Sequence, residues 1–92
     1  MTKHEIARQI AGKRGIEKEV VLDIVEELMR TVKHKVAAGE TVYLRGFGCF
    51  APRLRQAKIG RDISRGTFVE IPEHVEPDFK PYPDFKKLLY RK

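Results

Sequence analysis

The residues that could do chemistry in this chain are cations set in a row. Between positions 41 and 72 it carries Arg45, Arg53, Arg55, Lys58, Arg61 and Arg65 against only Asp62 and Glu70. That segment holds +4 of a net charge of +6, and the segments on either side hold +1 each. Guanidinium groups stay charged and present a planar fork of donors that fits phosphate oxygens. A concentrated basic stripe favours a polyanion, most often nucleic acid. The bland alternative is a solvated, solubilising surface. Spacing argues against it. Arg53, Arg55 and Arg61 share odd positions, so the period of two in a strand puts them on one side.

Other chemistry has less support. His4, His34 and His74 fall on different expected elements, without carboxylate or cysteine neighbours at ligand spacing, so no metal site is expected. Cys49, between Gly48 and Phe50, reads as a small core residue rather than a nucleophile. Gly46-x-Gly48 lacks the third glycine and the following helix of a phosphate loop. No carboxylate pair or nucleophile–base set stands out. The expectation is a protein that is not an enzyme, with no catalytic residue, no metal and no cofactor.

The elements that must position the basic stripe follow from patterning. Thr2 and Glu5 form a capping box ahead of Ile6, Ala7, Ile10 and Ala11 at helical spacing, and Gly15 is the expected stop. A second helix follows with a wide apolar face of Val20, Val21, Ile24, Val25, Leu28, Met29, Val32 and Val36. Glu26 and Arg30 read as an i,i+4 pair on its other face. Thr41 to Arg45 alternates as a strand, Gly46-Phe47-Gly48 turns, and Cys49-Phe50-Ala51 starts the next strand. Pro52 belongs at an edge or bulge and is expected where an arm leaves the sheet. The chain then runs out through the basic residues, reverses at Asp62-Ile63-Ser64-Arg65-Gly66 and returns through Thr67 to Ile71. Ten residues of strand reach roughly 33 Å, about the diameter of a small domain, so such a hairpin cannot all pack on its own domain. A short strand around Val75 to Lys80 and a last short helix with Pro83 at its first position complete the chain.

The fold class expected is α+β. Two helices form the N-terminal body, followed by a three-stranded antiparallel sheet with a long β-hairpin arm and a short C-terminal helix. The 92 residues read as one domain. Within it, 1–40 is a helical dimerisation body, 41–80 the sheet and arm (the arm about 53–72), and 81–92 the C-terminal helix. A small core with no disulfide set calls for a second subunit to complete it. No run approaches the ~18 apolar residues of a membrane span and no signal-like segment follows the start, so the expected setting is the cytoplasm, away from membranes.

Gly46-Phe47-Gly48-x-Phe50, Arg53-x-Arg55, Gly60-Arg61, Gly66, Ile71-Pro72 and Pro77-x-Phe79-Lys80-Pro81, in this order, resemble the bacterial histone-like family of HU and integration host factor. The resemblance covers nearly the whole chain. It implies an intertwined dimer, a homodimer or a heterodimer with a paralogue, whose two β-arms lie in the minor groove and bend DNA. Its core would include Phe47, Phe50, Phe79, Leu28 and Val32. Its implied DNA contacts are Arg53, Arg55, Lys58 and Arg61 on the arm, with Lys3, Lys80 and Lys86 on the body. Arg65 joins them by its place in the stripe.

Two departures stand out. The family usually carries Asn-Pro at the arm tip, and insertion of an apolar wedge between base steps is a known device of its minor-groove binding. This chain has Asp62-Ile63, which makes Ile63 the candidate wedge and leaves Asp62 as a turn-former. Tyr82-Pro83 stands where relatives often carry Gly-Lys, and Tyr82 is expected to pack on the body. The function expected is an architectural DNA-binding protein of the nucleoid, weakly sequence-specific, preferring bent, nicked or distorted duplex. RNA binding and augmentation of another protein's sheet are the competing classes.

Overall fold

The computed structural model describes residues 1–62 and 66–90, with Arg61, Asp62 and Thr67 described by backbone alone. Ile63 and Arg65 lie outside the described residues. The chain divides into two compact units, Met1–Lys35 and Val36–Lys92.

The first unit holds helix α1 (Lys3–Arg14) and most of helix α2 (Lys18–Ala37). Thr2 caps α1 by accepting a hydrogen bond from the Glu5 amide at 3.2 Å. Only half of a capping box forms. The Thr2 hydroxyl donates to the Glu5 carboxylate at 3.3 Å, so that carboxylate does not reach back to the Thr2 amide. Gly15 ends α1 in the left-handed region at φ 64°, and its N–H donates to Ala11 O. A residue with a Cβ resists that conformation. The expected Glu26–Arg30 pair does not form. Glu26 lies 3.4 Å from Lys3, and Arg30 pairs with Glu27 one position nearer along the helix.

Burial across the chain is sparse. Among the described apolar side chains, only Ala7, Val21 and Val36 are buried. Ile24, Leu28 and Met29 on α2 are about half or more exposed. An amphipathic helix that turns such a row to solvent in a single chain carries half of an interface.

The second unit contains strands β1 (Val42–Leu44), β2 (Gly48–Arg55), β3 (Lys58–Asp62), β4 (Thr67–Ile71) and β5 (His74–Pro81), then α3 (Pro83–Lys86) and a 3-10 turn. A turn closed by Phe47 N–H donating to Leu44 O joins β1 to β2, with Gly46 at φ 83° as its third residue, as a type II turn requires. β1, β2 and β5 form an antiparallel sheet with β2 in the middle, while β3 and β4 pair with each other. The helices and the three-stranded sheet match the expected class.

Pro52 does not mark the departure of an arm. It lies inside β2, opposite Pro77 of β5, and the β2–β5 ladder continues to Arg55 opposite His74. Two prolines can face each other because neither donates. Such a pair takes the non-hydrogen-bonded position of an antiparallel ladder, where N–H groups point away from the partner strand. β1 has already ended at this level, since its pairing reaches only Val42 opposite Phe50. Pro52 is therefore at a local edge of a central strand.

Side chains on one face of this sheet form an aromatic cluster. Phe50 and Phe79 are cross-strand partners with ring centroids 4.8 Å apart. Phe47 lies 5.1 Å from Phe79 and stacks on Phe85 of α3 at 5.3 Å. Gly48 makes room for the cluster. A Cβ there would lie 2.6 Å from both the Lys80 carbonyl oxygen and the Phe79 ring. A backbone oxygen in a ladder cannot swing aside. Gly48→Ala should therefore destabilise the fold by about 1–3 kcal/mol, the usual cost of overpacking. Thermal or urea unfolding checks this, and an unchanged midpoint would show that the strand shifts freely.

Candidate nucleic-acid interface

Alternation along β2 and β5 separates two faces. Phe50, Pro52 and Leu54 lie opposite Phe79, Pro77 and Val75 on the apolar face. Cys49, Ala51, Arg53 and Arg55 lie opposite Lys80, Asp78, Glu76 and His74 on the polar face. Arg53 and Arg55 thus share a side, as the odd-position spacing predicts, and Lys80 joins them.

These arginines are not bare. Arg55 Nε donates to Glu76 Oε1 at 2.5 Å, and Arg53 Nη1 lies 3.6 Å from Asp78 Oδ2. Each guanidinium reaches the acid diagonally across the ladder rather than the residue directly opposite. His74 joins the network, with Nε2 3.3 Å from Glu76 Oε2. The hydrogen bond from Arg55, and then that from His74, holds the Glu76 carboxyl below its ordinary range. These partners are not visible in the local sequence. Glu76 and Asp78 lie over 20 residues from the arginines and meet them only through the register. His74-x-Glu76 is the i,i+2 spacing that puts two side chains on one face of a strand, which supplies a carboxylate partner without making a metal-ligand set.

Beyond this sheet lies the β3–β4 ribbon, whose strands carry Lys58 and Arg61 against Asp62 and Glu70. β3–β4 pairing runs from Lys58 opposite Ile71 to Asp62 opposite Thr67. Between the two ladders, Gln56–Ala57 on one strand and Pro72–Glu73 on the other are unpaired as strand. Both interruptions are two residues long, so the register passes through without a slip. Lys58 is exposed, and Arg61 takes the register position opposite Phe68. The ribbon also exposes apolar groups, with Ile59 73% and Phe68 75% accessible.

The remaining predicted contacts are scattered. Lys80 is exposed on β5, and Lys86 is exposed at the end of α3. Lys3 opens α1 and is engaged with Glu26. Of the predicted core residues, Phe47, Phe50 and Phe79 come together, whereas Leu28 is exposed and Val32 half-buried on α2. Tyr82 is half-buried, and its N–H donates to Phe47 O at 3.0 Å. Burial, followed by the neighbouring Cys49, raises its hydroxyl pKa. That is a packed side chain, as expected for Tyr82. Among the described residues, no group of three His, Cys, Asp or Glu could hold a metal ion, and no helix is long and apolar enough to cross a membrane.

The profile of the bacterial DNA-binding protein family matches residues 1–90. The chain belongs to that family. Integration host factor subunit beta of Sodalis glossinidius is 38% identical over 82 residues, covering 88% of this chain and 87% of that one. The prophage-derived DNA-binding protein HU 2 of Bacillus subtilis is 34% identical across the full length of both. Among solved structures, Anabaena HU in a cocrystal with DNA superposes with a TM-score of 0.89 at 29% identity, covering 97% of each chain. HU from Thermotoga maritima superposes with a TM-score of 0.68 at 26% identity, covering 98% of this chain and all of that one. The family is architectural and non-enzymatic, and its members bind DNA as homodimers or heterodimers.

Within that family the acids on the polar face become informative. A carboxylate paired with a guanidinium competes with any phosphate for it and repels that phosphate. Asp78→Asn should therefore tighten DNA binding at low salt about two- to fivefold, the range of an exposed ion pair. The gain should shrink as salt rises. Anisotropy titrations at two ionic strengths check this, and equal or weaker binding at low salt would mean that Asp78 serves to hold Arg53 in place.

Proposed function

We propose that two copies of this chain, or one copy and a paralogue, form a dimer whose paired β3–β4 arms hold double-stranded DNA in the minor groove and bend it. The observation that carries this reading is the register. The β3–β4 ribbon, with Lys58 and Arg61, continues in step from the sheet face bearing Arg53, Arg55 and Lys80. A minor groove about 6 Å wide admits a two-stranded ribbon and offers a nearly degenerate code. Affinity then comes from phosphate neutralisation, and preference from DNA that is already bent, nicked or distorted. The DNA contacts in this reading are Arg53, Arg55, Lys58, Arg61 and Arg65, with Lys3, Lys80 and Lys86 for flanking phosphates. Phe47, Phe50, Phe79, Leu28 and Val32 contribute to the shared core. Ile63 is the wedge. The setting is the bacterial nucleoid in the cytoplasm, and the outcome is compaction with low sequence specificity.

Similarity to an integration host factor subunit supports a second reading, a sequence-preferring member of a heterodimer. Affinity for random against selected duplexes at fixed salt separates the two.

Salt dependence tests the contacts. Arg61→Ala should flatten the slope of log affinity against log salt by about 0.9 for each arm that loses a phosphate contact. An unchanged slope on linear duplex would remove Arg61 from the interface. Ile63→Ala should bind nearly as well as the parent and bend less, measured by DNA circularisation or by energy transfer between duplex ends. Equal bending would eliminate the wedge.

A further inference from the structure

Both ring nitrogens of His74 face acceptors. Nδ1 is 3.0 Å from the Pro72 carbonyl oxygen, and Nε2 is 3.3 Å from Glu76 Oε2. A carbonyl oxygen only accepts, and so does an ionised carboxylate. A neutral imidazole has one N–H. It can satisfy one of these contacts and must oppose a lone pair to an oxygen at the other. The imidazolium satisfies both. Glu76 is kept ionised by Arg55, which donates to its other oxygen.

The position of the ring gives this chemistry a consequence. Pro72 belongs to the unpaired step after β4, and Glu76 belongs to β5. The doubly bonded ring therefore fixes the backbone at the arm root against the first residues of β5, along the same strand. The charged groups around it are Arg55 directly opposite on β2, Arg53 opposite Glu76, and Asp78 further along β5. Glu73 adjoins it in the chain, and Lys58 and Glu70 lie on the first pairs of the arm. With the ring charged, Arg55, Glu76 and His74 together carry +1. With the ring neutral, they carry no net charge.

We propose that His74 is a proton-dependent positioning residue for the DNA-binding arm: its imidazolium braces the arm root between Pro72 and Glu76 and leaves that face one charge more positive, so DNA affinity rises as the ring gains a proton. The inference rests on the DNA-binding reading above. The Pro72 hydrogen bond, then the Glu76 hydrogen bond, raises the ring's pKa above the ordinary 6.5, with desolvation and then the charge of Arg55 opposing them. A pKa raised in the folded chain means that the brace is fully present below 6.5 and is lost as pH rises through the raised value. Phosphates favour the charged ring further, so binding takes up protons.

The test is DNA affinity between pH 5.5 and 8.5 at constant ionic strength, on a linear duplex, for the parent, His74→Gln and a His4→Gln/His34→Gln control. Ring nitrogens of the free protein are followed by NMR over the same range. The parent and the control should weaken as His74 titrates, by about tenfold per DNA-bound ring for each unit by which DNA raises its pKa. His74→Gln should be flat across that window, and the free ring should be protonated at both nitrogens at pH 6. A parent that binds equally well across the range, a His74→Gln that keeps the decline, or a ring neutral at pH 6 would each overturn the proposal and leave DNA binding intact. A parent that fails to bind at any pH, even at low salt, would overturn the DNA-binding reading and this inference with it.

Discussion

The constraint on which this structure depends is a shortage of buried apolar surface. Among the described apolar side chains only Ala7, Val21 and Val36 are removed from solvent. Burial is worth about 25 cal/mol per Å² of apolar area, so a chain that buries so little of its own cannot offset the entropy of ordering itself. The missing surface is present but unpartnered, as Ile24, Leu28 and Met29 on α2 show. In a family of dimers, a second chain supplies the partner. Folding and assembly are then one process, and the same two-fold relation that completes the core supplies a second arm.

A second constraint acts at the arm root. The ladder is interrupted on both strands for two residues, and the register is the same on either side. The interruption leaves the faces of the ribbon where they are, because only a slip of one residue would exchange them. The proline pair inside the sheet shows the same economy of hydrogen bonding. Pro52 and Pro77 meet at a position where neither is asked to donate. Just before the interruption, Arg55, Glu76 and His74 form a compact charged network on the polar face.

Much of this was legible in the sequence. Helix starts and stops followed from Thr2 and Gly15, the sheet from alternation around Gly46-Phe47-Gly48, and the return strand from Thr67 to Ile71. The basic stripe could be read because charge and strand parity are local properties. What could not be read depends on register. Arg53 and Arg55 acquire Asp78 and Glu76 as partners only once β2 and β5 are aligned. Pro52 was misplaced because proline marks an edge, and the sequence does not say that β1 stops short and makes a local edge inside the sheet. Glu26 chose Lys3 over Arg30 because a partner on another helix competes with one four residues along its own. Tyr82 was expected to pack, and its ring is half-buried.

The most direct test of the account is the dependence of unfolding on protein concentration, followed by far-UV circular dichroism in urea over a hundredfold range, with mass by sedimentation equilibrium. The account predicts a dimer without urea and a midpoint that rises with concentration, with no folded monomer between. A folded monomer whose midpoint does not move with concentration would contradict it, since the chain would then hold its fold without the surface that a partner supplies.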